Sequence, residues 1–202
     1  MTESVTLAVE GTIDAAAAKR LLGEAGLQPG PEYIKHGKGA LDQRLNGFNN
    51  AARFSCWLVL RDLDLDADCA PVLRHSLLPA PAPRMRLQIA VRAVETWFLA
   101  DQESISSYLA VAQAKVPKDP ESIPQPKRAL VDLARQSRKK GIREALVPLS
   151  GTTARVGPGY AALLIEFATK YWRPAVAARR SQSLAGLREF LRAISQHGCG
   201  RR

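Results

Sequence analysis

Residues Cys56–Asp68 read CWLVLRDLDLDAD, an apolar run that breaks into aspartates at every second position: Asp62, Asp64, Asp66 and Asp68. Four carboxylates so near one another cannot all stay ionised without positive charge between them. Hard divalent cations supply it, because Mg2+ and Mn2+ take carboxylate oxygens and keep waters for a phosphate substrate. Two glutamates fall at matching places. Glu10 ends the β-rich run Val5–Val9 and precedes Gly11, and Glu95 follows the run Arg86–Val91. Arg92 and Glu95 are three apart, which puts them on one helix face. Acids delivered from three strand ends are how one metal centre is assembled from distant sequence, and its chemistry is cation-assisted attack on a phosphate ester. Structural duties compete at each position: a solvated strand end for Glu10, a pair with Arg92 for Glu95, and turn or helix-cap roles for Asp66 and Asp68.

Trp57–Leu60 is short and continuously apolar, the pattern of a strand buried on both faces of a parallel sheet. Val5–Val9, Glu32–His36 and Arg86–Val91 are the other predicted strands. Helices are predicted within Thr12–Gly26, capped by Thr12 or Asp14, and over Leu41–Arg53, Ala70–Leu78 and Arg92–Leu99, with Pro79–Pro83 an extended linker. Strand–helix alternation implies parallel strands joined by right-handed crossovers, with ligand sites at the carboxyl ends of the strands. Beyond Asp101 the pattern is helical: Ser104–Lys115, Lys127–Leu146, Tyr160–Tyr171 and Leu184–His197. Proline-rich Pro117–Pro126 and the Gly157-Pro158-Gly159 turn interrupt it. The expected fold is α/β, a small parallel sheet flanked by helices in residues 1–102, with a basic, mostly helical region, 103–202, packed on it.

The 202 residues are 46% hydrophobic, enough to fill a core. No apolar stretch approaches the roughly 18 residues of a membrane span. The start, Met1-Thr2-Glu3-Ser4, lacks the pattern of a signal peptide, so the expected location is cytoplasmic and no membrane partner is expected. Cys56, Cys69 and Cys199 suggest neither a disulfide framework nor a zinc site. The net charge of +10 is lopsided: residues 1–102 carry 11 Lys/Arg against 12 Asp/Glu, and residues 103–202 carry 18 against 7. A basic half of that size attracts polyanions, nucleic acid first among them. Lys127, Arg128, Lys139, Lys140, Arg179 and Arg180, with Arg92, are the candidate phosphate contacts. Lys127, directly after Pro126 at a predicted helix start, is the preferred transition-state cation. Tyr160 and Trp172 are candidates for base stacking or core packing. The histidines form no cluster.

Rival motifs fit less well. An EF-hand beginning at Asp62 needs Gly and Glu where Ala67 and Leu73 stand. Glu32 occupies the place of the first P-loop glycine ahead of Gly37-Lys38. A dehalogenase-type phosphotransferase starting at Asp62 would need Thr or Val two places after Asp64, where neither stands.

Val9-Glu10-Gly11-Thr12-Ile13-Asp14 and Leu60-Arg61-Asp62-Leu63-Asp64 resemble the two signature motifs of the Toprim (topoisomerase–primase) fold. The segment Arg92–Asp101 is similar to the glutamate-bearing strand end of OLD-type (overcoming lysogenisation defect) Toprim nucleases and of a related family of uncharacterised bacterial proteins. The Gly157-Pro158-Gly159-Tyr160 and Trp172-Arg173-Pro174 segments resemble the end of that second family. The resemblance implies a Mg2+- or Mn2+-dependent nuclease, with Glu10 as metal ligand and general acid/base. Asp62 and Asp64 would be ligands, and Glu95, with Asp14, would complete a second metal position. OLD-type nucleases carry an ATPase domain that this chain lacks, so the resemblance implies a separate ATPase subunit and a role in defence against phage. Two rivals remain open: a Toprim-like module that binds nucleic acid or a partner without cutting, and a small-molecule phosphohydrolase.

Overall fold

The structure is a computed structural model that describes residues 3–200. Four parallel strands form one sheet in the order β2-β1-β3-β4. They are β1 (Ser4–Val9), β2 (Gln28–Ile34), β3 (Cys56–Asp62) and β4 (Met85–Ala90). The expected class, a small parallel sheet flanked by helices, is the one that forms. The apolar run of β3 is explained by two covered faces. Cys56, Leu58 and Leu60 join the core on one side, Trp57 and Val59 the core on the other, and every residue of the strand is buried.

On one face lie α2 (Lys38–Asp42), α3 (Leu45–Ala51) and α4 (Ala70–Leu77). Their Leu41, Leu45, Phe48 and Leu73 pack against Trp57, Val59, Leu87 and Ile89. On the other lie α1 (Thr12–Glu24) and α5 (Val94–Ala100). With them pack α6 (Gln102–Leu109), α7 (Pro126–Arg135), α8 (Lys140–Leu146), α9 (Tyr160–Glu166), α10 (Pro174–Ala177) and α11 (Gln182–His197). The basic half therefore shares one hydrophobic core with the front half. Bidentate ion pairs add orientation, Arg188 on Glu24 at 2.6 and 3.0 Å and Arg173 on the buried Asp101 at 2.6 and 3.0 Å. No described helix is long and apolar enough to cross a membrane.

Several boundaries differ from expectation. β2 starts at Gln28, ahead of Glu32, because an edge strand tolerates Pro29 and Pro31. The segment expected as one helix over Leu41–Arg53 is two, in a stretch rich in weak helix formers such as Gly47, Asn49 and Asn50. The helix expected over Lys127–Leu146 breaks between α7 and α8, where the Ser137 hydroxyl accepts the Lys139 N–H at 3.0 Å. The helix expected to reach Lys115 stops at Leu109, with Ala110 left-handed at φ 53°.

The cysteine reading is corrected outright. Cys56, at the start of β3, and Cys199, after α11, form a disulfide across 143 residues of sequence. Spacing carries no sign of it, because the pairing arises when α11 packs back toward the start of the sheet. Cys69 is free and exposed.

Candidate metal centre

Three strands deliver acids to the carboxyl edge of the sheet. Glu10 follows β1, and its Oε1 accepts the Asp62 N–H at 3.0 Å, which ties the first strand end to the third. The Arg61 Nε stands 3.8 Å from the same oxygen. Asp62 closes β3 and is 4% exposed. Its Oδ1 accepts the Val94 N–H at 3.0 Å, at the opening of α5. Asp14, in the first turn of α1, accepts the Gly11 N–H at 2.7 Å. Gly11 is thus the helix cap position, and Asp14 anchors the turn from inside the helix rather than capping it, as sequence suggested. Glu95 lies in the first turn of α5 at 1% exposure. Its Oε1 accepts the Tyr160 hydroxyl at 3.1 Å, and its Oε2 has no hydrogen-bond partner.

These four carboxylates hold protons more tightly than usual. Burial pushes Asp62 well above the carboxylate range, and the charges of Asp14 and Glu95 push the same way. Asp14 is raised to about 7, again first by burial and then by Glu95. Burial also raises Glu95, against the pull of Lys127. In Glu10, burial outweighs the Asp62 N–H and the charge of Arg61. One ammonium answers them. Lys127, at the start of α7, brings Nζ to 3.6 Å from Asp62 Oδ2. Its pKa is raised chiefly by the charge of Glu95, while 55% of its side chain stays exposed.

Asp64 stands apart from this buried group. At φ 48° it turns left-handed, and its carboxylate, 41% exposed, pairs with Lys38 Nζ at 3.1 Å. Lys38 also holds Asp66 at 2.7 Å, and Arg61 joins Asp66 to Asp42 at 2.6 and 3.1 Å. Asp66 and Asp68 do not cap α4, whose cap position is Cys69 with no side-chain bond to the helix start. The expected Arg92–Glu95 face also does not form. Arg92 lies outside α5 in a left-handed conformation and donates to the Asp64 carbonyl at 2.8 Å, so Glu95 faces Tyr160 instead.

A cavity of about 990 Å3 is lined among others by Asp64, Asp66, Arg92, Lys127, Arg128, Asp132, Arg135 and Arg155; none of the four inner acids lines it, and Lys127 is the residue common to the two. Arg92, Lys127 and Arg128 are thereby brought together as sequence suggested; Arg135 and Arg155 were not singled out, and only the general excess of positive charge pointed to them. Lys139 lines a second cavity of about 520 Å3 with Tyr108 and Arg173. Lys140 pairs with Glu144 at 3.5 Å, Arg180 donates to the carbonyls of Pro117 and Lys118, and neither Arg179 nor Arg180 lines either cavity. Tyr160 is a residue whose role sequence reading missed: it is 5% exposed and its hydroxyl is spent on Glu95 rather than on a base. Trp172 is fully buried, with its indole N–H donated to the Trp97 carbonyl at 3.2 Å.

The donor set fits a hard divalent cation. All four inner side chains offer oxygen, one buried oxygen has no partner, and Lys127 together with Arg61 leaves four carboxyl groups short of counter-charge. The carboxylates are near but not closed around a point. Among the described residues, the one group bringing three His, Cys, Asp or Glu ligand atoms within 4.8 Å of one another is Glu3 with the disulfide pair Cys56 and Cys199. No protein-family model, no curated protein and no solved structure matches the chain.

Proposed function

We propose that the chain is a divalent-cation-dependent phosphodiesterase acting on nucleic acid, with a Toprim-like acidic edge as its centre. The observation that carries this reading is the under-neutralised group Glu10, Asp14, Asp62 and Glu95, met by Lys127, which also lines a cavity with Arg92, Arg128, Arg135 and Arg155 alongside Asp64, Asp66 and Asp132. An acidic group alone repels a polyanion, and a basic cleft alone only binds one. Together they suit a phosphate ester that must be held and cut.

Glu10, Asp62 and Glu95 would hold the cation, with Asp14 supporting a second position. A bound Mg2+ or Mn2+ supplies charge neutralisation at the scissile phosphate and acidifies water. The remaining work belongs to the chain's own groups. Arg92, Arg128, Arg135 and Arg155 hold backbone phosphates along the cleft. Lys127 sets a positive charge where charge builds on phosphorus-bound oxygens. Glu10, the inner acid nearest solvent, is the group suited to pass a proton between attacking water and leaving oxygen. One P–O bond forms from water, one breaks, and the leaving oxygen takes the proton. Asp64 can serve the cation only by leaving Lys38. A nucleic-acid substrate suits the cytoplasm.

The test is cleavage of labelled DNA and RNA with Mg2+ or Mn2+. Wild type should cut one of them. Asp62→Asn and Glu10→Gln should not, while still binding it in EDTA. Undiminished cleavage by both variants would refute the reading. The second reading, a module that binds without cutting, draws on Lys127 already facing the acids as their counter-charge. Binding that falls steeply with salt and never leads to cleavage would select it.

A further inference from the structure

The Gly157-Pro158-Gly159-Tyr160 segment has no part in the chemistry above, yet it ends on the acidic group. We propose that Tyr160 is a positioning residue of the cation site, fixing Glu95 so that its free oxygen faces the cation; this rests on the cation-site reading. Glu95 is wholly buried, and the Tyr160 hydroxyl is the side-chain partner of one of its two oxygens. The other is left without a partner. A carboxylate anchored through one oxygen loses little orientational freedom when the second binds a metal, which is why partners of metal ligands matter for affinity. The Tyr160 hydroxyl donates in this bond.

The turn makes the placement rigid. The Gly157 N–H donates to the Leu146 carbonyl at 2.9 Å and the Gly159 N–H to the Ala145 carbonyl at 2.8 Å. Two otherwise unpaired carbonyls at the end of α8 are thereby satisfied. Both contacts need bare backbone. A Cβ on Gly157 would stand 2.6 Å from the Leu146 carbonyl carbon and 2.7 Å from the Val147 oxygen, and one on Gly159 would stand 2.7 Å from the Ala145 Cβ. The Tyr160 N–H then returns to the Gly157 carbonyl at 3.1 Å and α9 begins. The end of α8 and the start of α9 are locked together, and the first side chain of α9 reaches an acid 65 residues earlier. The basic half thus supplies a part of the metal centre itself as well as its surroundings.

Tyr160→Phe removes one oxygen and keeps the ring, so packing alone would leave cation affinity unchanged. Mn2+ titrated calorimetrically into the metal-free full-length protein should bind the variant about tenfold or more weakly than wild type. Its melting temperature in EDTA should stay within a few degrees, and its nucleic-acid affinity in EDTA should not change. Glu95→Gln, measured alongside, should lose Mn2+ binding. Wild-type affinity in Tyr160→Phe together with loss in Glu95→Gln would overturn the inference and leave the cation site standing. Failure of the wild type itself to bind Mn2+ would overturn both.

Discussion

Two groups of acids a few residues apart in sequence live under opposite electrostatics. Asp62, with Glu10, Asp14 and Glu95, lies in low dielectric, and its proton is held chiefly by burial. Asp66, four residues on, is exposed between Lys38 and Arg61, and its pKa is lowered first by the Lys38 hydrogen bond. Each acid of the second group has a cation within ion-pair distance, and together these acids tie α2 to the loop after β3. Burial without enough counter-charge costs stability, and such an arrangement persists where a ligand supplies what is missing. The contrast separates acids matched by a cation of the chain from acids left short of one.

The largest expected effect comes from Glu95→Gln and Asp62→Asn. Cleavage should fall by more than the roughly 10–100-fold typical of losing a metal ligand's partner. In EDTA the same variants should melt a few degrees higher than wild type, because each removes a buried like charge. A lower melting temperature in both would mean that these acids hold the fold, as Asp66 does. Next, Mn2+ at a hundred times its dissociation constant should stabilise the wild type by about 2.7 kcal/mol. For a chain of this length that is roughly 5–10 °C in melting temperature. The increment should vanish in Glu95→Gln.

The pH dependence has a definite sign. A carboxyl with a raised pKa makes the folded state bind more protons than the unfolded state, so stability falls as pH rises through that window. Without metal, melting temperature should decline from about pH 4, the ordinary carboxylate range, to about pH 7, where Asp14 titrates. Saturating Mn2+ should flatten the decline. Asp66 acts oppositely: its contribution is present above its ordinary pKa and is lost as pH drops below about 4. The smallest effect is Lys38→Ala. Its partners Asp64 and Asp66 are well exposed, so the loss should be under about 1 kcal/mol by denaturant titration.

The strands were legible because burial on both faces writes itself as continuous apolar sequence, clearest in Trp57–Leu60. Glu10 and Asp62 were legible because a polar residue closing such a run must sit at the carboxyl edge of the sheet, and Glu95 because it opens the helix that follows β4. What eluded sequence reading depended on long-range packing. The Cys56–Cys199 bond exists only once α11 returns to the start of β3. Tyr160 reads as an ordinary core aromatic until α9 is placed beside α5. Asp64 follows the same alternation as Asp62, yet a left-handed turn at that residue sends it out to Lys38.

The most direct measurement is a crystal of the wild-type protein grown with Mn2+ and examined by anomalous scattering. A peak touching Glu10, Asp62 and Glu95, with Tyr160 still bonded to Glu95, is the expected result. An occupied manganese position elsewhere, with Lys127 alone facing these acids, would contradict the cation centre.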